Sequence, residues 1–273
     1  MKRAGSVVFV GAGPGQADLI TLRGAERLRS ADVVLFDSLA DPALRELAPN
    51  ARWIDVGKRG FSGVQHAGPD GRENAGQDAI NALLVKHASD GKRVVRLKGG
   101  DPSIFGRLEE ELEALACAGI ACEVVPGVTA ALAAAASTQR PLTRRGSGRS
   151  VALTTAMTRD AGFGAGCHAD TESFYMAGKQ LAALSRRLVE AGWPEATSAL
   201  VVSRAGWPDQ IATEHSIATL GDATVLHSGR PTIVTVGVGA TAVASVAEGA
   251  AIRSDAYPSP ASVERSGISA STP

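Results

Sequence analysis

Residues 10–15 (VGAGPG) form the first segment that could carry chemistry, because they place three glycines between a β-branched run and a helical pattern. Glycines let the backbone turn tightly and approach a ligand closely. Asp37 follows at about the distance, ~20 residues, at which dinucleotide-binding proteins place a ribose-binding acid. However, Gln16 stands where that fingerprint has its third glycine, and Pro14 has no N–H to offer a pyrophosphate. The segment therefore fits NAD, another nucleotide-like ligand, or a structural turn.

Two later strand ends have the same character. Residues 94–102 (VVRLKGGDP) place two glycines and Asp101 at the carboxyl end of a predicted strand, where ligands bind in open α/β sheets. The Asp101 carboxylate could bond a ribose or an amino group, or could only stabilise a turn. Residues 125–130 (VPGVTA) end another strand, and Thr129 could cap the following helix or form a third wall of the same crevice.

Arginines near these segments could bind an anionic substrate, because guanidinium groups form bidentate hydrogen bonds to carboxylates and phosphates. The alternative is ordinary surface charge. The arginines concerned are Arg59, Arg107, Arg140, Arg144, Arg145 and Arg149.

Composition excludes several functional classes. The 273 residues are 44% hydrophobic and 21% charged, as in a globular protein with one large or two modest domains. Because 28 basic residues balance 28 acidic ones, the chain has no overall attraction to nucleic acid or anionic membranes. Aromatic residues make up only 4%, too few for a stacking platform for single-stranded nucleic acid.

The sequence predicts neither a metal site nor a membrane segment. Cys117, Cys122 and Cys167 form no CxxC pair, the five histidines show no ligand spacing, and no Walker, HExxH or GxSxG motif occurs. Unpaired cysteines are typical of a reducing compartment, so we expect a cytoplasmic protein. The longest apolar run, residues 130–136, is far shorter than the ~20 residues that span a bilayer.

Strand-like runs and helical patterns alternate through the first half, which predicts a parallel sheet covered on both faces. Strands are predicted at residues 7–10, 32–36, 53–56, 94–97 and 122–125. Helices are predicted at residues 17–29, 42–47, 77–88, 105–118 and 129–137. Residues 60–76 form a long polar, glycine-rich loop, which is expected to be mobile or functional.

A change in composition near residue 140, where proline, glycine and arginine cluster, predicts a second domain. Its expected elements are strands at 151–155, 173–176, 199–203 and 232–236 and a helix at 179–190. We therefore predict an N-terminal α/β domain (1–143), a C-terminal α/β domain (144–248) and a disordered Ser/Pro-rich tail (249–273).

Between residues 7 and 239 the chain resembles the tetrapyrrole (corrin/porphyrin) methylase family. The resemblance rests on residues 10–15 (VGAGPG), 19–37, 56–59 (VGKR), 94–107 (VVRLKGGDPSIFGR), 123–136 (EVVPGVTAALAAAA), 141–145 (PLTRR) and 174–176 (FYM). It implies two α/β domains with a cofactor cleft between them, usually in a homodimer. It also implies S-adenosylmethionine (SAM) as methyl donor and uroporphyrinogen III as acceptor, converted to precorrin-2 by successive methylations at carbons 2 and 7.

The resemblance also implies roles for individual residues. The implied proton acceptor is Asp37 and the implied proton donor is Lys58. The implied cofactor contacts are Pro14, Gly99, Gly100, Asp101, Ile104, Thr129, Ala130, Met176, Ala205 and Thr232. The positions expected to face the substrate are Arg107, Glu110 and Arg145.

The chain departs from the family pattern mainly on the substrate side. Residues 106–111 read GRLEEE where the family has GRGGEE, residues 141–145 read PLTRR for PLTHR, and the 60–76 loop is longer than usual. Four alternatives stay open: a later precorrin methyltransferase, an NAD-dependent oxidoreductase, the fold-related RNA 2′-O-methyltransferases and, least favoured, a non-catalytic binding module. Because no dehydrogenase or ferrochelatase module precedes Val7, we do not expect this chain itself to make sirohaem.

Overall fold

The strands form two separate five-stranded sheets in residues 5–37, 39–57, 75–157 and 169–243, the parts of the chain that the computed structural model describes. The first sheet comprises β1 (Ser6–Gly11), β2 (Val33–Phe36), β3 (Arg52–Asp55), β4 (Arg93–Lys98) and β5 (Cys122–Val125). The second comprises β6 (Val151–Thr155), β7 (Thr171–Tyr175), β8 (Ser198–Ser203), β9 (Ile211–Ser216) and β10 (Thr232–Gly237).

The first sheet is parallel throughout, in the order β3-β2-β4-β1-β5. Its register aligns Val10 with both Leu97 and Val125, and Leu97 also pairs with Phe36. The carboxyl ends of β1, β2, β4 and β5 therefore lie side by side. The loops that follow these four strands contain the motifs singled out from the sequence.

Helices cover both faces of the first sheet, as its apolar strands require. Helix α1 (Leu22–Arg29) covers one face, and α2 (Ala75–Ser89) and α3 (Leu108–Cys117) cover the other, while α4 (Ala130–Ser137) follows β5. Alternate residues of β4 face opposite ways: Val95 and Leu97 pack in a cluster with Leu28 of α1, whereas Val94 packs with Leu84 of α2 and Leu115 of α3.

The second sheet has the order β6-β7-β10-β8-β9, in which only β6 and β7 pair in parallel. One of its faces packs on α5 (Leu181–Glu190), and the short α6 (Thr224–His227) lies nearby. The other face places Tyr175, Leu200 and Ile233 against Ala131 and Ala134 of α4. Helix α4, which follows β5 of the first sheet, therefore packs its small side chains on the second sheet.

The predicted α/β class with a parallel N-terminal sheet is confirmed, but several boundaries were wrong. The predicted helix 17–29 divides into a 3₁₀ turn (Ala17–Leu19) and α1, because Thr21 caps α1 by accepting the Gly24 N–H at 3.1 Å. Helix α3 begins only at Leu108, because Phe105 and Arg107 have φ angles of 51° and 54°, outside the helical region.

Other predictions were incomplete or lie outside the described residues. Strand β9 was missed because its mixture of apolar and polar residues, IATEHS, lacks a strong β-branched run. The tail (249–273) and nearly all of the 60–76 loop fall outside the described residues. The domain boundary at 143/144 stays a prediction.

The buried contact of α2 with the sheet predicts a test of stability. Leu84 is 0% exposed, whereas Leu22 on α1 is 92% exposed. Leu84→Ala should lower the free energy of unfolding by about 2–5 kcal/mol, because it leaves a cavity in the core. Leu22→Ala is the matched control and should change it little. Urea denaturation of both variants checks this, and equal losses would contradict the described packing.

Candidate active site

Three loops meet at the carboxyl end of the first sheet and build a backbone-lined depression. We call it the glycine crevice and define it by residues 11–15, 99–102 and 126–129. The Ala12 N–H donates to the Lys98 carbonyl at 2.8 Å. Gly13 and Gly100 exchange two backbone hydrogen bonds, of 3.3 and 2.7 Å. The first two loops are thus tied together like neighbouring strands.

Close packing of main chain explains why Gly11 and Gly127 are glycines. A Cβ atom at Gly11 would lie 2.6 Å from the Cα of Gly127, and one at Gly127 would overlap the Gly100 carbonyl oxygen. Such contacts could be relieved only by moving backbone. The three loops therefore depend on these two glycines for their mutual approach.

Gly100 differs from Gly11 and Gly127 because it faces open space. Its φ is +69°, which favours glycine, but the atoms nearest to an added Cβ are 3.9 Å away, in Val128 and Thr129. A ligand could therefore approach the Gly100 backbone directly. Gly99 and Pro14 are half-buried beside it, so the crevice fits a ligand recognised largely by main chain.

Asp101 braces the loops, which is one of the two roles that the sequence left open. Its Oδ2 accepts the Gly127 N–H at 2.9 Å, and its Oδ1 accepts the Ser103 N–H at 2.7 Å. A carboxylate has about four lone-pair sites, so these two bonds leave capacity for a ligand donor.

The second sheet closes the other side of the crevice. The Gly206 carbonyl accepts the Gln16 N–H at 2.9 Å, and Gly15 packs so closely against Gly206 that a Cβ there would overlap its carbonyl. Tyr175, at the end of β7, forms a 2.7 Å hydrogen bond with the Thr129 hydroxyl. Thr129 is therefore tied to the second sheet, and its side chain does not cap α4.

Tyr175 also contacts Phe105, which reaches it from the loop before α3. The ring centroids are 5.0 Å apart and the planes are tilted by 57°. Burial raises the pKa of the Tyr175 phenol, so it remains a neutral hydrogen-bonding group at physiological pH. The sequence motif FYM marked this position, but residue type alone did not assign Tyr175 a role.

The remaining expected cofactor contacts come from the loop before α3, the start of α4 and the second half of the chain. Ile104 and Ala130 pack against the cluster between α4 and the second sheet, and Ala205 is a buried member of that cluster. Met176 is 40% exposed and has a φ of 58°, which ends β7. Thr232 is buried in β10, and its hydroxyl donates to the Arg230 carbonyl at 2.8 Å.

Asp37 lies at the carboxyl end of β2, at the edge of the crevice. Its Oδ1 accepts the Leu39 N–H and its Oδ2 accepts the Gly99 N–H, both at 3.2 Å. The second bond fixes the carboxylate against the glycine loop. Lys58, the expected proton donor, lies outside the described residues.

Two of the three expected substrate residues contact each other. Arg107 binds Glu110 in bidentate fashion, through Nε at 2.6 Å and Nη2 at 2.5 Å. Both side chains are partly exposed, so the pair can meet a ligand in solvent. Arg145 is exposed on a tight turn in which Arg144 and Gly148 exchange backbone hydrogen bonds.

Sequence motifs did not predict a buried charge cluster beneath the crevice. Glu111 accepts Arg96 Nε at 2.9 Å and Lys98 Nζ at 2.5 Å, and all three residues are buried. Burial, the largest influence, and Arg96 lower the pKa of Lys98, while Glu111 opposes them. Helical spacing could have revealed the cluster, because Glu111 shares a face with Leu108 and Leu115.

The described residues contain no group of three or more His, Cys, Asp or Glu side chains that could hold a metal ion. Within the same ranges, every helix is too short or too polar to cross a bilayer.

Comparisons with known proteins agree on one family. Residues 6–223 match the family described as Tetrapyrrole (Corrin/Porphyrin) Methylases. A uroporphyrinogen-III C-methyltransferase from Pseudomonas aeruginosa is 39% identical over 239 residues, which cover 86% of this chain and 94% of that protein. A siroheme synthase from Edwardsiella ictaluri is 46% identical over 203 residues, which cover 72% of this chain and 42% of that protein. The chain thus spans less than half the length of this synthase.

A solved structure resembles the chain over the same extent. It is the uroporphyrin-III C-methyl transferase from Thermus thermophilus complexed with S-adenyl homocysteine. The TM-score is 0.70 at 31% identity, and the match covers 85% of this chain and 97% of that one.

The packing at Gly127 predicts a paired loss of stability and ligand binding. Gly127→Ala forces the three loops apart and should lower the free energy of unfolding by about 1–3 kcal/mol. A ligand that occupies the crevice should also bind more weakly. Calorimetry measures this with S-adenosylhomocysteine, the ligand of the solved relative, as the probe. Gly221→Ala is the matched control, because a Cβ there would lie an ordinary 3.4 Å from Ala182. Unchanged binding by Gly127→Ala would separate the crevice from the ligand site.

Proposed function

The chain belongs to the tetrapyrrole (corrin/porphyrin) methylases, and on that premise we propose that it converts uroporphyrinogen III to precorrin-2 by two successive SAM-dependent methylations, at carbons 2 and 7. The observation that carries the proposal is the glycine crevice, a main-chain cradle whose Thr129 contacts Tyr175 of the second sheet. The 39% identity to a uroporphyrinogen-III C-methyltransferase over nearly its whole length supports the choice of substrate.

The crevice suits S-adenosylmethionine in its residue types. The backbone at Gly99 and Gly100 can approach the ligand, Asp101 can accept its donors, and Thr129 is held in place by Tyr175. On the proposed binding mode, Pro14, Ile104, Ala130, Met176, Ala205 and Thr232 complete the contacts. When bound, S-adenosylmethionine supplies a methyl group that is already strongly electrophilic.

With such a donor, the main task of the chain is alignment. An electron-rich pyrrole carbon is itself the nucleophile, so holding it in line with the methyl group can lower the barrier by several kcal/mol, within the ~7–11 kcal/mol available to orientation. The contacts of Gly15 with Gly206 and of Thr129 with Tyr175 fix the two sides of the crevice relative to each other. The macrocycle would lie across them.

Methylation at a pyrrole carbon requires the macrocycle to lose a proton, which a general base can accept. We assign this role to Asp37, whose carboxylate is held at the crevice edge by the Gly99 N–H. Lys58 is the proposed proton donor. Each oxygen of Asp37 accepts one backbone N–H and keeps further lone-pair capacity for a proton.

Arg107 and Arg145 are proposed to bind the carboxylates of uroporphyrinogen III. Glu110 holds the Arg107 guanidinium in one orientation and leaves part of it accessible. A polyanionic substrate thus meets local positive charge on a chain whose net charge is zero.

The proposal includes a cytoplasmic homodimer. The exposed thiols of Cys117 and Cys122 are unpaired, which favours a reducing compartment. Leu132 of α4 and Val151 and Leu153 of β6 line an open, mainly apolar groove of about 790 Å³. In the described sheet β6 is an edge strand, and exposed apolar edges favour association with another chain.

An anaerobic assay with uroporphyrinogen III and S-adenosylmethionine, followed by mass spectrometry and visible spectra, tests the reaction. Two added methyl groups are expected. S-adenosylhomocysteine binding without methylation would favour a later precorrin methyltransferase instead. NAD binding in the absence of S-adenosylhomocysteine binding would favour an oxidoreductase.

Substitution of Arg107 tests substrate recognition. Arg107→Met should raise KM for uroporphyrinogen III about ten-fold or more, because one charge-assisted bidentate contact contributes about 1.5–3 kcal/mol. The dissociation constant of S-adenosylhomocysteine should not change. Arg186→Met, at an exposed position of α5, is the control and should retain wild-type kinetics. Equal KM values for all three proteins would remove Arg107 from the substrate site.

Charge placed in the apolar groove tests the homodimer. Leu132→Lys should raise the dimer dissociation constant about ten-fold or more, because burial of a leucine contributes about 1.5–3 kcal/mol. Leu22→Lys, on the exposed face of α1, should have no effect. Sedimentation velocity over a concentration series measures both, and a wild-type monomer would contradict the proposal.

A further inference from the structure

The charges buried beneath the glycine crevice do not balance among themselves. Arg96 and Lys98 project from the same face of β4, and Glu111 of α3 is 0% exposed between them. Gln77 of α2 also reaches Glu111, at 3.4 Å, but it is neutral. Two buried positive charges therefore share one buried carboxylate.

Asp37 supplies the second negative charge. Its Oδ2 lies 4.0 Å from Nη1 of Arg96, at the outer limit of an ion pair. Burying a charge without a counter-charge costs several kcal/mol, and the Asp37 carboxylate is the fourth charged member of the cluster. Asp37 is also the only one of the four that has substantial contact with solvent, with a side chain 26% exposed.

The Arg96 guanidinium cannot turn to follow Asp37, because it is held on two sides. Nε donates to Glu111 at 2.9 Å, and Nη1 donates to the Leu97 carbonyl at 3.1 Å. A fixed positive charge thus lies behind a carboxylate that also accepts hydrogen bonds from the backbone N–H groups of Gly99 and Leu39.

We propose that Arg96, locked by Glu111, is a positioning residue that orients the Asp37 carboxylate at the crevice edge. Arg96 lies behind Asp37 and is buried, so it acts on the substrate only through that carboxylate. The catalytic consequence rests on the proposed function, whereas the interaction between Arg96 and Asp37 does not.

A second arginine–aspartate pair links β4 to the start of β2 and serves as a control for the pair of Arg96 and Asp37. At their amino ends, Arg93 of β4 pairs with Asp32, the residue before β2, at 3.4 Å. Both of these side chains are about 40% exposed, and both lie at the opposite end of the sheet from the crevice. Arg93→Met therefore removes an arginine–aspartate link between β4 and the start of β2 without touching the proposed site.

A double-mutant cycle tests the interaction without using activity. Urea unfolding is measured for wild type, Arg96→Gln, Asp37→Asn and the double variant. We expect a coupling of about five-fold or more in the unfolding equilibrium constant. Arg96→Gln keeps a donor for Glu111. Arg96→Met, which likewise leaves Lys98 and Glu111 as a charge-balanced pair, replaces it in the cycle if Arg96→Gln does not fold. Coupling within experimental error of unity overturns the proposal.

Steady-state kinetics test the effect of this positioning on catalysis. Arg96→Gln should lower kcat about ten-fold or more, with KM and the dissociation constant of S-adenosylhomocysteine within about two-fold of wild type. Arg96→Lys should recover part of the loss, and Arg93→Met should match wild type. An active wild type with an equally active Arg96→Gln overturns the proposal. An inactive wild type with strong coupling in the cycle removes the proposed function and leaves the positioning of Asp37 in place.

Discussion

The close approach of three main-chain segments at the end of a parallel sheet is the constraint on which the rest of the site depends. Gly11 and Gly127 allow the loops after β1 and β5 to touch the loop after β4. Asp101 of that loop accepts the Gly127 N–H and, within its own loop, the Ser103 N–H. The register of the sheet brings these strand ends together. Without that approach, neither Thr129 nor Asp37 would have its present neighbours.

The second sheet contributes by contact with this cradle. Gly206 packs against Gly15, and Tyr175 bonds to Thr129 while its ring meets Phe105. Phe105 has a φ of 51°, a conformation that costs about 1–2 kcal/mol for a bulky residue and is maintained by surrounding packing. The strained backbone therefore occurs where the two halves of the chain meet, at the place where a ligand would bind.

Sequence patterns predicted the parallel sheet and the loops of the crevice because glycine and β-branched runs report local backbone requirements. They could not show that the Asp101 carboxylate accepts a hydrogen bond from the Gly127 N–H, since that contact depends on the position of Gly127 in space. Glu111 was hidden among exposed acids of α3, although its spacing placed it on the apolar face. The start of α3 was also predicted wrongly, because an arginine in the sequence gives no indication that its backbone is left-handed, as it is at Arg107.

The reliance of the crevice on main chain changes how this fold tolerates variation. Where a site is built from side chains, truncation to alanine removes function and reveals the important positions. At Gly11, Gly15 and Gly127 the opposite holds, because alanine adds the atom that the structure cannot accommodate. A scan that only removes side-chain atoms would therefore identify the polar residues at the edge of the crevice and would miss these three glycines. Sequence differences among related chains should accordingly concentrate at the edge of the glycine crevice, where side chains meet the methyl acceptor. The glycines of the crevice itself should vary little.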